Sequence, residues 1–345
     1  MKDLISDPQL ATAKATVRAH YARMAEATPD SVEAILGEAI ASTAKLRFYH
    51  PWNEQVGPSG AAAFWRPFLE SFSRVQRRED IFFAGENEID GFQSVWVCSM
   101  GHLMGLFDHD WLGIPATRRI AMLRYCEFSR IEGGQIVEQA FFCDILHVMQ
   151  QAGCYPLPPQ TAAHLVQPGP MTHDGLIFDD RPAEEGQETL ALINAMISDI
   201  AANSNTGPGS VPRDPSPQAE LRRCWSEDML WWGPAGIGST YTIDRYVEQH
   251  QAPFRVHCTD RAFHGHLCRM AEGHYGGFFG WPNLSVRNLG GYLGLPAGNL
   301  ADMRVIDIYR RQGDKLAENW IFIDMLHFLK QQGLDVLGRM DSLKG

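Results

Sequence analysis

Two aspartates, Asp144 and Asp324, stand at the ends of apolar, strand-like runs (AFFCD and WIFID) that are 180 residues apart. Along a strand with a period of two, Asp324 shares a face with Phe322 and Trp320. A carboxylate among aromatic rings loses hydration, and desolvation raises its pKa toward that of a useful general base. Such a group could remove a proton from the carbon next to a carbonyl.

The same two aspartates also fit a structural role. Each is followed by an apolar helical run that ends in Gly153 or Gly333. This pattern is typical of a helix with an Asp N-cap and a glycine terminator. Presence in both halves of the chain fits a helix cap at least as well as a catalyst. The sequence therefore leaves both roles open for Asp144 and for Asp324.

Two histidines, His102 and His274, lie in glycine-rich strands, where another group can approach the backbone closely. A neutral histidine there could hold or pass a proton across from the aspartate. We therefore expect His274 to be the partner of Asp324, and His102 to play the same part near Asp144. The alternative is a hydrogen-bonded core histidine.

Further polar and aromatic residues could line the same pocket. By strand parity, Glu138 and Glu318 share the face of the aspartates. A second acidic pair, Glu127 and Asp307, lies on the preceding strand, and the sequence does not show which face it occupies. The aromatic residues that could floor a pocket, or belong to an ordinary core, are Trp231, Trp232, Tyr241, Trp320 and Phe322, with Tyr49, Trp52, Trp65 and Trp96 in the first half.

A histidine cluster lies in the second half. His264 and His266 would place both rings on one face of a strand, a known ligand spacing, near His257 and Asp260. No carboxylate follows at a recognisable interval, which favours a polar strand with solvent-facing histidines. The sequence predicts no metal site. It also lacks the motifs of nucleotide enzymes, serine hydrolases and zinc peptidases.

The elements that must position these residues occur twice. The residues that recur at an interval of 180 are Glu138, Asp144, His147 and Gly153, as Glu318, Asp324, His327 and Gly333. A constant interval of half the chain indicates a duplicated domain. The glycine-rich run at 101–107 matches 273–279 at an interval of 172. That match predicts nine additional residues in the second copy, within 280–291.

Each copy contains helices, then strands joined by short turns, then a terminal helix. This order predicts an α+β fold with a mostly antiparallel sheet, because the turns are too short for helical crossovers. We place the first copy at 1–154, a proline-rich linker at 155–186 and the second copy at 187–345.

A series of motifs recurs in a fixed order: a glycine–histidine strand, the segment LGIP or LGLP, a tight turn, and E-x-W-x-x-x-D before a helix. The series resembles the SnoaL-like polyketide cyclase family of the ketosteroid-isomerase-like (nuclear-transport-factor-2-like) superfamily. The second copy matches in full at Glu318, Trp320 and Asp324, whereas the first has Ala140 in place of the tryptophan. His50, before a proline, is similar to the histidine of the family's aromatic-His-Gly-Pro segment.

The resemblance implies two tandem cone-shaped α+β barrels, each a curved sheet around helices with an apolar interior. Family members of the cyclase type close rings by an aldol reaction, using acid–base chemistry without metal or cofactor. Single-domain relatives commonly pair through their sheets. The resemblance therefore implies an internal pseudo-dimer, and a homodimer of whole chains is a further option.

The composition limits the partners. The net charge is −11 and there is no basic run, so nucleic acid and anionic membrane surfaces are poor partners. The N-terminus does not resemble a secretory signal, and no apolar run approaches the roughly 20 residues of a membrane span. The seven cysteines are scattered, which favours reduced residues of a cytoplasmic protein.

The sequence thus predicts a cofactor-independent acid–base enzyme that acts on a small, largely apolar carbonyl compound, as a cyclase, isomerase, dehydratase or hydrolase. Asp324 would be the base, in the second copy. The alternative is a non-catalytic protein that binds a small molecule, with the first copy purely structural. The direction of the Asp324 carboxylate, into an aromatic pocket or back to its own helix, discriminates between the two.

Overall fold

The computed structural model describes residues 8–163, 168–203 and 213–342. The chain forms two compact units. The first contains the described residues up to Pro156, the segment Gly169–Asp180 and the described residues from Asp335 onward. The second contains the described residues of Leu157–Pro168 and Arg181–Leu334. The proline-rich stretch between the repeats is therefore divided between the two units.

In the first unit, helices precede and follow one mixed sheet. Its elements are α1 (Pro8–Met24), α2 (Val32–Ala39), β1 (Ile40–Phe48), β2 (Asn53–Val56), α3 (Gly57–Ser71), β3 (Phe72–Glu86), β4 (Val95–Phe107), β5 (Ile120–Glu132), β6 (Gln135–Cys143) and α4 (Ile145–Gln151). The strand order is β2-β1-β6-β5-β4-β3. Only β1 and β6 pair in parallel among these described strands.

The second unit repeats this plan. Its elements are α5 (Ala183–Asn203), α6 (Pro217–Leu221), β7 (Trp225–Trp232), β8 (Thr240–Tyr241), α7 (Thr242–Tyr246), a π-helical segment (Val247–Gln251), α8 (Ala252–His257), β9 (Cys258–Phe263), β10 (Cys268–Glu272), β11 (Tyr275–Asn288), β12 (Leu300–Gln312), β13 (Lys315–Ile323) and α9 (Met325–Gln331). The strand order is β10-β11-β12-β13-β7-β8, and β9 also pairs with β11. A last helix, α10 (Val336–Ser342), belongs to the first unit.

The two sheets with their helices confirm the predicted α+β class and the mostly antiparallel pairing. Neither sheet closes on itself within the described residues, so the predicted barrels are open sheets. The hairpin between β5 and β6 turns at Gly133 and Gly134, with φ of 57° and 77°. Both values are left-handed, as a tight two-residue hairpin requires. No helix within the described ranges is long and apolar enough to cross a membrane.

The strand register shows how the two copies correspond. Leu103 on β4 lies opposite Leu123, and Leu284 on β11 lies opposite Met303. Because Leu123 and Met303 are 180 residues apart, Leu103 corresponds to Leu284. The interval is 181 along this strand, so the predicted interval of 172 and the nine-residue insertion are both wrong.

His102 and His274 are therefore not equivalent residues. His102 lies in the middle of β4, opposite Arg124, whereas His274 precedes β11 in the turn after β10. The glycine motif misled the alignment because glycines recur wherever strands approach closely. A Cβ on Gly277, for example, would lie 2.4 Å from the carbonyl oxygen of Asp307.

Candidate functional site

The two aspartates that end the repeated strands cap the helices that follow. The Asp324 carboxylate accepts a hydrogen bond from the amide of His327 at 3.2 Å, at the first turn of α9. The same carboxylate forms an ion pair with Arg304 Nη1 at 3.2 Å, and the residue is fully buried. Asp144 accepts from the amide of His147 at 3.0 Å. The cap, one of the two roles left open by the sequence, is thus what the geometry supports.

The Asp324–His274 pair does not form. The amide of Asp324 donates to the carbonyl of Arg304, and the carbonyl of His274 accepts from the amide of Arg311. Arg304 and Arg311 are seven residues apart on β12, which corresponds to roughly 23 Å of strand. His274 instead lies 3.3 Å from Arg311 Nη2. These two residues cannot share a proton at one site.

In the first unit, His102 and Asp144 do lie near each other. Both neighbour the buried Arg124, His102 by strand pairing and Asp144 through its amide, which donates to the Arg124 carbonyl. Burial lowers the pKa of Arg124 to about 10, and the charge of Asp144 opposes that shift. His102 Nδ1 lies 3.2 Å from Asp80. The cluster is a buried polar network with the helix cap as its carboxylate.

The face that carries Asp324 is not the face that the helices of the second unit cover. As parity predicts, Glu318, Trp320 and Phe322 share it, but Glu318 is buried in an ion pair with Arg310. Trp320 donates its indole N–H to the carbonyl of Pro168 at 3.0 Å. We call this the outer face of the second sheet.

The opposite face, which we call the inner face, is lined by Trp231, Phe278, Asp307, Tyr309 and Asn319. Asp307 lies opposite Phe278, and Tyr309 lies opposite Asn319, which itself lies opposite Trp231. Directly paired residues point to the same face. The segment from α7 to α8 packs here, because the rings of Tyr246 and His250 contact Trp231, with centroid distances of 5.6 and 4.0 Å.

Asp307 is the acid of the inner face. Its side chain is almost entirely buried, and it accepts a hydrogen bond from Asn319 Nδ2 at 3.0 Å. Burial raises the pKa of Asp307 to about 7, and hydrogen bonds from Asn319 and Tyr309 only partly offset this rise. Burial and the nearby Asp307 also raise the pKa values of Tyr309 and Tyr246. At neutral pH the carboxyl can therefore both release and accept a proton.

Two histidines lie flat against aromatic rings on either side of this acid. His250 stacks on Trp231 at 4.0 Å and 22°, and His266 stacks on Phe278 at 3.9 Å and 14°. Burial lowers the pKa of each imidazole to about 3. Both rings are therefore neutral at physiological pH, and the region around Asp307 is apolar, aromatic and uncharged.

The corresponding acid of the first unit, Glu127, is held in a different way. Its carboxylate accepts from Tyr21 Oη at 2.9 Å, Ser129 Oγ and Gln139 Nε2, each at 3.2 Å, and Arg77 Nη1 at 3.4 Å. The Arg77 guanidinium also lies 3.8 Å above the Tyr21 ring and 4.5 Å from the Tyr125 ring. This network fills the inner face of the first unit with paired groups.

A single substitution between the copies accounts for much of this difference. Arg77 lies opposite Leu103, and Phe263 lies opposite Leu284. Because Leu103 corresponds to Leu284, Phe263 occupies the position of Arg77. The second unit therefore has a phenyl ring where the first has the cation that pairs with its inner acid. Burial is then free to raise the pKa of Asp307.

The remaining predicted pocket residues are dispersed. Trp231 is on the inner face, whereas Trp232 lies opposite Trp320 on the outer face. Tyr241 packs edge-on against Trp232 at 5.8 Å. In the first unit, Tyr49 and His50 are buried where β1 ends. The predicted floor of aromatic residues does not form as one surface.

The candidate metal ligands are also apart. His264 Nε2 lies 2.9 Å from Ser285 Oγ, and His266 is the ring stacked on Phe278. In the described parts of the chain, no three His, Cys, Asp or Glu side chains come together as a metal site would require.

The sequence interpretation named Asp307 without a face and missed Tyr309, Asn319 and His250 as neighbours. One signal could have found them. Acid and polar residues recur at the interval of 180 as Glu127 and Asp307, and again as Gln139 and Asn319. Polar residues that recur inside buried strands indicate a shared hydrogen-bonded position.

Comparison with known proteins gives structural neighbours only. No family model matches the chain, and no curated protein matches it. One similar solved structure, from Jannaschia sp. CCS1, is provisionally named a SnoaL-like polyketide cyclase; it is 20% identical, and the match covers 45% of this chain and 99% of that one, with a TM-score of 0.33.

Two further structures have similar values. IdmH from Streptomyces antibioticus, provisionally named a polyketide cyclase, is 18% identical over 39% of this chain and 97% of its own, with a TM-score of 0.33. An NTF2-like protein from Burkholderia xenovorans LB400 is 13% identical over 43% and 97%, with a TM-score of 0.32. The resemblance to SnoaL-like proteins is thereby confirmed, and each neighbour spans less than half of the chain.

Proposed function

We propose that the chain is a cofactor-independent acid–base enzyme that acts on a small, largely apolar carbonyl compound at the inner face of the second unit. Asp307 is the proton-transferring group. The observation that carries this proposal is a buried carboxyl whose pKa is raised to about 7 among aromatic and neutral groups. A general base is most effective when its pKa lies near the working pH.

The reaction begins with Asp307 as a carboxylate. It takes a proton from the carbon next to the substrate carbonyl, and the electrons of that C–H bond move toward the carbonyl oxygen. The carboxyl then returns the proton to the same or another atom of the substrate. Asn319 and Tyr309 hold the carboxyl in place through their hydrogen bonds.

Several reactions share this first step. An aldol closure, an isomerisation and a dehydration each require a carbanion or enolate next to a carbonyl. The apolar surroundings of Asp307 favour a substrate that is itself largely apolar, because a charged compound would lose its hydration without a partner.

The second candidate is a non-catalytic protein that binds a small molecule. The first unit favours this reading for itself, because its inner acid Glu127 is engaged by four donors, including Arg77. A carboxylate held in this way is a poor base. We therefore place the chemistry in the second unit and give the first a structural role.

Exchange of α-protons tests the proposal without knowledge of the natural substrate. The protein is incubated in deuterated buffer with acetophenone and with α-tetralone, and loss of the α-proton signal is followed by NMR. We expect the wild type to accelerate exchange, and Asp307→Asn to lose roughly 100- to 10,000-fold of that acceleration.

The matched control is Asp314→Asn, in the exposed turn between β12 and β13, which should exchange like the wild type. Binding of the ketones without accelerated exchange would support the non-catalytic alternative. Full exchange by Asp307→Asn would show that Asp307 is not the base.

A further inference from the structure

His250 occupies an unusual position in the second unit. It lies in the π-helical segment Val247–Gln251, between α7 and α8. Pro253 explains part of this geometry, because it lacks the N–H that would bond the carbonyl of Gln249 in an α-helix. The hydroxyl of Thr161 donates to that carbonyl instead, at 2.8 Å. Single π-helical turns are rare and occur frequently at functional sites.

The first unit shows what a purely structural residue looks like at this position. Helix α3 ends before β3 as α8 ends before β9, and Pro67 and Pro253 correspond at the same interval. His250 then corresponds to Phe64. The Phe64 ring packs 4.9 Å from Phe141 inside a continuous α-helix. A ring that only fills space can be a phenyl, so the two nitrogens of His250 need another reason.

The imidazole has a hydrogen-bonding capacity that the described residues do not use. Its Nδ1 atom is buried and has no hydrogen-bond partner among them. A neutral imidazole has one donor and one acceptor nitrogen, and an unpaired buried polar atom lowers stability. A half-turn of the ring about χ2 keeps its plane, and therefore its stack on Trp231, while it moves the nitrogens to the other edge.

The ring is also close to the acid. His250 stacks on Trp231, and Trp231 lies opposite Asn319. Opposed side chains on a sheet have Cβ atoms about 5 Å apart, and Asn319 donates to Asp307 at 3.0 Å. A small carbonyl compound on this face can therefore reach both groups at once.

Resting on the proposed function, we propose that His250 is a second catalytic residue, whose imidazole N–H donates a hydrogen bond to the substrate carbonyl oxygen while Asp307 removes the α-proton. The C–H bond breaks, its electrons form the C=C bond of the enolate, and the carbonyl π electrons move to the oxygen. The proton ends on the Asp307 carboxyl. His250 keeps its own proton throughout, since a neutral imidazole is a weak acid.

This inference narrows the substrate class. The compound carries a carbonyl oxygen as a hydrogen-bond acceptor, with an enolisable carbon directly beside it. It also needs a flat, apolar portion, because the available surface is formed by the rings of Trp231, Phe278 and Tyr309.

The test replaces His250 by the residue that the first unit uses. His250→Phe keeps the stacking and removes both nitrogens, and His250→Gln keeps an N–H donor. With acetophenone and α-tetralone, we expect His250→Phe to lower kcat for exchange about a hundredfold with little change in KM. His250→Gln should recover part of the rate. Thermal stability should not fall in His250→Phe, because an unpaired polar atom has been removed.

A second measurement does not depend on turnover. The carbonyl stretching frequency of α-tetralone bound to Asp307→Asn is compared with that in the Asp307→Asn, His250→Phe double variant. A hydrogen bond weakens the C=O bond, so the frequency should be lower when His250 is present. Equal frequencies, or an exchange rate in His250→Phe equal to that of the wild type, would overturn the inference.

The outcomes for the two proposals are distinct. If Asp307→Asn abolishes exchange and His250→Phe does not, the role of His250 is wrong and the proposed function stands. If the wild type exchanges neither ketone, or Asp307→Asn exchanges as well as the wild type, the proposed function fails and the inference fails with it. A fall in stability of His250→Phe together with unchanged kcat would show a packing role only.

Discussion

Replacement of Asp307 by Asn should change how the stability of the second unit depends on pH. Asn has the shape of a protonated carboxyl but cannot ionise. Burial raises the pKa of Asp307 in the folded protein to about 7, whereas an unfolded chain has a value near 3.9. Between these values the folded state keeps a proton that the unfolded state has released. Stability contributed by this group is therefore present at low pH and is lost as the pH rises.

The size of the effect follows from the two pKa values. Each unit of difference corresponds to about 1.4 kcal/mol, so a difference of roughly three units gives a loss of about 4 kcal/mol between pH 4 and pH 7. Below pH 4 both states hold the proton, and above pH 7 both have released it, so the effect is flat outside this window. The free energy of unfolding of the wild type minus that of Asp307→Asn should fall by this amount.

The assay must report on the second unit alone. Hydrogen–deuterium exchange of peptides from β12 and β13, measured across a denaturant series at pH 4.5, 6 and 8, gives that local free energy of unfolding. Asp314→Asn, in the exposed hairpin turn, is the control, and its difference from the wild type should stay within about 0.5 kcal/mol at every pH. A difference between wild type and Asp307→Asn that is constant with pH would refute the argument, because Asp307 would then ionise as an ordinary carboxyl.

Three further substitutions test other parts of the structure. Asp324→Ala should cost about 1–2 kcal/mol of stability through the lost helix cap, measured by thermal unfolding, and should leave ketone exchange unchanged; a selective loss of exchange would restore Asp324 as the base. Arg77→Met should destabilise the first unit by about 3–5 kcal/mol, because Glu127 would stay buried without its cation, and an unchanged exchange profile of β5 peptides would contradict that ion pair. Gly277→Ala should cost about 1–3 kcal/mol, since its Cβ would meet the Asp307 carbonyl at 2.4 Å, whereas Gly313→Ala, with open space around it, should cost about 1 kcal/mol for its positive φ alone.

The duplication and the fold class were readable from the sequence. A constant interval of 180 between Asp144 and Asp324 predicted two copies, and the short turns predicted an antiparallel α+β sheet. The helix caps at these aspartates were also among the predicted alternatives. These features depend on local patterns, which a sequence shows directly.

The face of the candidate acid was not readable in the same way. Along β13, residues on both faces are buried from Leu316 to Ile323, so the alternation that distinguishes a core face from a solvent face is absent. Parity could group Glu318, Trp320 and Asp324, and could not say which face the helices cover. The pairing of β12 with β11 and β13 was needed to place Asp307.

The match between His102 and His274 failed for a different reason. A short glycine-rich run is satisfied by several strands in a sheet with close backbone contacts, and only hydrogen-bond register decides between them. The π-helical segment that carries His250 was also unreadable, because a proline inside a helix predicts a kink but not the form that it takes.

The most direct test of the central claim is an infrared titration of Asp307 itself. The spectrum of Asp307→Asn is subtracted from that of the wild type at a series of pH values, which isolates one carboxyl group. We expect a protonated carboxyl band at pH 5 that disappears with a midpoint near pH 7, as burial among aromatic rings requires. A carboxylate band already complete at pH 5 would contradict the account, since Asp307 would then be an ordinary ionised group and not a base poised at neutral pH.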